Sequence, residues 1–150
     1  MIDAKELRID NYVHLINSDT FYRITEIGYS EIEYPRYEAS GISSEAVFRT
    51  YIENLNPIPI TEELLLKSGF KKIRNRITFR IVPRISYELK YKPKGRNDAC
   101  FLVFIKDEGV FNHVVPADND KECSFVPIKS IHQLQNLYFA MTGKELEVNL

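Results

Sequence analysis

"KKIRNRITFRIVPRISYELKYKPKGR", residues 71–96, decides how the second half of this chain folds. In its first arm Ile77, Phe79 and Ile81 alternate with Arg76, Thr78 and Arg80. In its second arm Tyr87, Leu89 and Tyr91 alternate with Glu88, Lys90 and Lys92. A repeat of two puts successive side chains on opposite faces of a strand. The pattern therefore predicts two antiparallel arms turning at "VPRIS", apolar side to the core and charged side to solvent. The segment carries ten basic residues and one acidic one, in a chain whose net charge is only −1. Residues 1–66 sum to −7, residues 67–96 to +10 and residues 97–150 to −4.

Downstream of this hairpin, "ACFLVFIK" reads as a buried central strand by its continuous apolarity. "DEG" reads as a tight turn, "VFNHVV" as the returning strand and "CSFVPI" as a last strand, giving an antiparallel sheet of about five strands. A C-terminal helix opens at Ser130 and closes at Gly143, and its stripe of Ile131, Leu134, Leu137, Tyr138 and Met141 predicts packing on that sheet.

Upstream lies "NPIPITEELLLKSGF", residues 56–70, a short helix with its boundaries written into it. Thr61 is the N-cap, and Glu62 and Glu63 sit where the helix dipole favours negative charge. Ile60 and Leu65 are spaced as a hydrophobic staple, and Gly69-Phe70 as a Schellman ending. Before it, "NYVHLI", "FYRITEI", "EIEYPRYE" and "AVFRTYIENL" read as short elements, mostly strands, with Pro35 at an edge or strand end. They predict a small, bent N-terminal sheet or partial barrel. The expected fold class is thus α+β, with a β lobe over residues 1–56 and a sheet-plus-helix region over 57–150, in one integrated unit.

No run is apolar for long enough to cross a bilayer as a helix, and MIDAKELRID lacks the apolar centre of a signal peptide. The expectation is a cytoplasmic protein without membrane contact, in which Cys100 and Cys123 are reduced core thiols. Histidines 14, 113 and 132 fall in different elements, without metal-site spacing. "DNDKECS", from Asp118, starts like a calcium loop but has Cys123 and Lys129 where the loop needs glycine and an acid. There is no phosphate-binding glycine loop, nucleophile elbow or dinucleotide fingerprint, so no cofactor is implied. Cys100 or Cys123 with His113 reads as core packing rather than a nucleophile and base.

The remaining functional signal is the basic hairpin. Arg74, Arg76, Arg80, Lys90 and Lys92 are expected to share one face. That face is either solvated surface or a site for an acidic protein, a nucleic acid or a nucleotide. The aromatics of the hairpin sit on the expected core side, which argues against base stacking. His132, Gln135 and Asn136 form a second candidate surface on the C-terminal helix.

Three stretches, "ELRIDNYV" at 6–13, "PIPITEELLLKSGF" at 57–70 and "HQLQNLYFAMTGKEL" at 132–146, resemble a family of small proteins common in gut Bacteroidota genomes and their phages or mobile elements. Asp10 stands where relatives carry glycine. The family brings no established activity, catalytic residue or cofactor. The resemblance implies a cytoplasmic accessory protein that acts by binding a host target rather than by catalysis.

Overall fold

A computed structural model of the protein describes residues 2–18, 20–29, 35–42, 47–74, 85–93, 95, 99–107, 110–116 and 123–149. The chain forms two compact units: residues 1–59 with 130–140 and 150, and residues 60–129 with 141–149. The boundary differs from the expected one in a specific way. Most of the C-terminal helix, expected to close the second sheet, belongs to the unit that holds the first.

The first unit is built on β1 (Tyr12–Leu15), β2 (Phe21–Tyr29), β3 (Pro35–Gly41), β4 (Val47–Tyr51) and β5 (Leu55–Pro57), in the order β4-β3-β2-β1-β5. Pro35 opens β3, where its missing N–H costs least. "AVFRTYIENL" divides into β4 and a 3₁₀ turn, Ile52–Asn54. One sheet face supplies the core: Val13, Tyr22, Ile24, Tyr37, Ala39 and Leu55, with Ile2 and Leu7 from the N-terminal segment.

The edges β4 and β5 are joined by only three residues, 52–54. A flat five-stranded sheet would hold its edges about 19 Å apart, whereas four Cα steps reach at most about 14 Å. The sheet must therefore bend, and a register shift between Ile24 and Glu26 adds to the twist. It does not close. No ladder joins β4 to β5 among the described residues, so the expected partial barrel is not formed.

The second unit begins with α1 (Glu62–Lys67). Thr61 Oγ1 accepts the Leu64 N–H at 3.2 Å, the N-cap its position predicts. Phe70 N–H donates to Leu65 O at 3.1 Å and Gly69 N–H to Leu66 O at 3.0 Å, with Gly69 at φ 86°. Those two bonds and that φ are the Schellman ending. Then follow β6 (Lys71–Ile73), β7 (Ser86–Tyr91), β8 (Cys100–Asp107), β9 (Val110–Pro116) and β10 (Cys123–Pro127), in the antiparallel order β10-β9-β8-β7-β6.

β8 is central, as its apolarity predicts, but it is not buried on both sides. Leu102 and Phe104 are buried while Phe101 is exposed. Ile105, on the same side as Phe101, is buried as well, so the second face is covered at Ile105 and exposed at Phe101. Cys100 is a half-buried free thiol. The core face joins Phe70 to Phe104 and Tyr87 to Phe111 in edge-to-face ring pairs with centroids 5.6 and 5.5 Å apart. α2 (Ile131–Thr142) ends at Gly143, φ 70°, and residues after it bury Leu146 and Val148. No helix is long and apolar enough to cross a membrane among the described residues.

Candidate functional site

The ladder between β6 and β7 pairs Lys71 with Glu88, Lys72 with Tyr87 and Ile73 with Ser86. Residues directly opposite share a face, so Lys71, Glu88 and Lys90 lie on one side, and Lys72, Tyr87 and Leu89 on the other. Tyr87 is buried, and Lys71, Lys90 and Lys92 are exposed. Arg76 and Arg80, with Ile77, Phe79 and Ile81, lie outside the described residues. Arg74 is exposed in a bend just past the last ladder pair. It lies beyond the ladder, whose register puts Lys71 and Lys90 on one face and Lys72 on the other.

Glu88 is a second departure. It alternates with the apolar residues and was expected in solvent, yet it is buried, as is Ser86, whose hydroxyl donates to Glu88 Oε1 at 3.3 Å. The only acid of the basic segment is thereby withdrawn from the surface. Lys71, Arg74, Lys90 and Lys92 have no ion pair among the described residues. Directly across from Lys90 on β8 stands the exposed Phe101. That face is buried at Ser86, Glu88 and Ile105, but at its Lys90–Phe101 end it exposes a lysine beside an aromatic ring, which the sequence reading missed. The signal was in "CFLVFI" itself: a run without polar residues conceals which positions are outside.

Lys72 is committed elsewhere. Its ammonium bonds Glu62 Oε1 at 2.5 Å, and Tyr87 OH donates to Glu62 Oε2 at 2.8 Å. These bonds hold the Glu62 carboxyl below the usual carboxylate range. Burial first, then the hydrogen bond to Glu62 and that carboxylate's charge, pushes the Tyr87 phenol up to about 12. The group locks α1 to β6 and β7. Both carboxylate oxygens are occupied, so it offers no free base.

The second expected surface, His132, Gln135 and Asn136, is not a surface. His132 and Gln135 are 2 % and 1 % exposed. Gln135 Nε2 donates to Asp10 O at 2.9 Å, and its Oε1 accepts the Tyr12 N–H at 2.9 Å. Asn136 Oδ1 accepts from Arg8 Nε at 2.9 Å and Asn11 Nδ2 at 3.0 Å, while its Nδ2 donates to Glu6 O. The Arg8 guanidinium lies 4.0 Å from the Phe139 ring centre. α2 thus uses its polar side to satisfy the backbone of residues 6–12, which bends through Asp10 at φ 71°. The periodicity of the helix predicted a polar stripe; it could not show that the stripe had partners 125 residues away.

His132 tests the enzymatic reading. Its Nε2 is 3.3 Å from both Glu6 Oε2 and Ser130 Oγ. A serine–histidine–acid relay needs the nucleophile on one ring nitrogen and the acid on the other. Here both compete for Nε2, and Nδ1 is buried with no hydrogen-bond partner among the described residues. The Ser130 side is itself buried at the helix start, its carbonyl accepting the Leu134 N–H at 3.1 Å. Burial lowers the His132 pKa, partly offset by Glu6, so the ring is neutral at pH 7.

Two clefts lined by described residues of the first unit bear on the enzymatic reading. One, about 320 Å³, lies between Ile16, Asn17, Phe48 and Arg49; the other, about 260 Å³, between Tyr12, Arg23, Ser40 and Ile42. Neither is lined by histidine, cysteine or a carboxylate. Among the described residues no three His, Cys, Asp or Glu side chains are grouped to hold a metal ion. In comparisons with known proteins, no family model, no curated protein and no solved structure matches the chain.

Proposed function

We propose that this is a non-enzymatic binding protein whose lysine-bearing second sheet engages an acidic partner. One observation carries the reading: Lys71, Arg74, Lys90 and Lys92 are exposed and outside any described ion pair, while Glu88 among them is buried. Exposed cations on one face, here Lys71 and Lys90, raise the local potential and favour a polyanion. The resemblance to accessory proteins of phages and mobile elements, which implies binding rather than catalysis, fits the same reading.

A second reading, single-stranded nucleic acid on that face, is favoured by Phe101 opposite Lys90. An exposed ring beside phosphate-binding lysines is the composition of a stacking platform, worth about 1–3 kcal/mol per base stacked. Fluorescence anisotropy separates the two with labelled oligonucleotides and labelled polyglutamate. Lys71→Glu with Lys90→Glu should weaken both ligands at least tenfold. Phe101→Ala should weaken only the oligonucleotide, and by at least fivefold. If the double reversal binds polyglutamate and oligonucleotide like the wild type, the lysines are solubilising surface and the proposal fails.

A further inference from the structure

The two sheets present four edges, and three of them resist pairing with another chain. β4 carries Arg49 at its centre, β6 is three residues long with Lys71 and Lys72, and β5 is three residues ending in Pro57. Short, charged or proline-bearing edges are the usual devices against edge-to-edge association. β10 has a different character. Its residues 124–127, Ser-Phe-Val-Pro, are all exposed and uncharged, with Phe125 43 % and Val126 44 % exposed on opposite faces.

The backbone of that edge can be worked out from its register. Ile128 N–H donates to Phe111 O at 3.0 Å, and the ladder continues as Pro127↔Asn112, Val126↔His113 and Phe125↔Val114. Hydrogen-bonded and non-hydrogen-bonded pairs alternate in an antiparallel ladder. Val126 and Ser124 are therefore bonded to β9, and Cys123, Phe125 and Pro127 turn their backbone groups outward. Pro127 fits this parity, since its missing N–H falls on the side without a ladder. Beyond it the edge is already capped, because Lys129 O accepts the Ile60 N–H at 3.1 Å. Among the described residues, what stays unpaired is a five-residue window centred on Phe125.

We infer that this window pairs with the same window of a second copy, antiparallel about a two-fold axis at Phe125. In that register Phe125 exchanges both backbone bonds with its counterpart. Each Cys123 N–H meets the other copy's Pro127 carbonyl. The only groups left without a partner are the two Cys123 carbonyls at the rim, opposite the missing proline donors. The two Phe125 rings stand directly opposite one another on one face, an aromatic cross-strand pair, and Val126 faces Ser124 on the other. Within the window no like charges meet, whereas the same operation at β4 would set Arg49 against Arg49. The window is symmetric about its centre, so it fits a closed isologous dimer rather than an open chain. An interface this small lies below the standard size of roughly 1,200–2,000 Å² buried, so the dimer is weak and concentration-dependent.

Sedimentation velocity of the full chain, from about 5 to 500 µM, tests this; an interface of the small class warrants that upper limit. The expected result is a monomer–dimer equilibrium in the wild type. Phe125→Lys puts two cations face to face at the axis and should raise the dimer dissociation constant at least tenfold. Val47→Lys, on the β4 edge, should leave it unchanged. Circular dichroism and melting of each variant separate lost pairing from lost folding, and Ser124→Lys, also exposed on β10, gives a second disruption if Phe125→Lys does not fold. A wild type that stays monomeric at 500 µM overturns the inference and assigns the edge to a different chain. So does a dimer indifferent to the β10 lysines or broken by Val47→Lys.

Discussion

Single residues show where backbone conformation is fixed by chemistry. Gly69 sits at φ 86°, and a Cβ added there would meet only Leu89 Cδ1 at an ordinary 3.6 Å. Its replacement by alanine therefore carries conformational strain without a clash. Gly69→Ala should cost about 1 kcal/mol, read as a lower urea midpoint at unchanged m-value. Asp10 occupies the same left-handed region at φ 71°, so aspartate here takes the conformation that glycine favours at the third position of the turn. Two histidines, His132 buried and His113 half-buried, set a pH dependence. Burial lowers both the His132 and His113 pKa values from the ordinary 6.5. Below pH 6.5 the unfolded chain binds protons that the folded chain does not, so stability should be flat above that value and fall as pH drops below it. Denaturation midpoints at pH 7.5 and 5.5 measure this. Replacing both rings, by His132→Gln and His113→Asn, should shrink the difference; an undiminished difference would locate the proton uptake elsewhere.

At the scale of elements, α1 and α2 illustrate two ways of holding a helix. α1 is six residues long and is fixed by local grammar: the Thr61 cap, the Schellman bonds, and the Glu62 contacts with Lys72 and Tyr87. α2 is fixed from both sides. Ile131 and Leu134 are fully buried, while Gln135 and Asn136 bond the N-terminal segment. Gln135→Ala removes the partners of a part-buried N–H and a part-buried C=O at once and should cost about 1–3 kcal/mol, toward the lower end of the range for two orphaned groups. An exposed glutamine would change stability by under about 0.5 kcal/mol, so chemical denaturation decides between the two placements. The stretches 6–13 and 132–146 meet in this network, and 57–70 is α1 with its caps.

For the molecule as a whole, the charge imbalance is its main physical property beyond the fold. The +10 of residues 67–96 is set between stretches of −7 and −4. Binding of polyanions by such a block proceeds through release of counterions, so affinity for single-stranded oligonucleotides should fall steeply between 50 and 200 mM salt, by about 0.7 log units per log unit of salt for each phosphate neutralised. Reversing Lys71 and Lys90 should lower that slope by about 1.4 if each contacts one phosphate. A slope unchanged by the double reversal would mean that binding is carried by cations other than these two.

The amino-acid sequence by itself determined the local structure: both glycine helix ends, the Thr61 cap, the hairpin base at Lys71–Ile73 and Ser86–Tyr91, and the central place of β8. These follow from interactions between residues a few positions apart, so a window of sequence contains the cause. Only the tertiary structure decided that the N-terminal sheet stays open, that Glu88, His132 and Gln135 are buried, that Phe101 is outside, and that the C-terminal helix belongs with the first unit. A polar residue reads the same in sequence whether water or a distant backbone amide satisfies it. Its burial becomes favourable only once a partner far along the chain supplies the hydrogen bond.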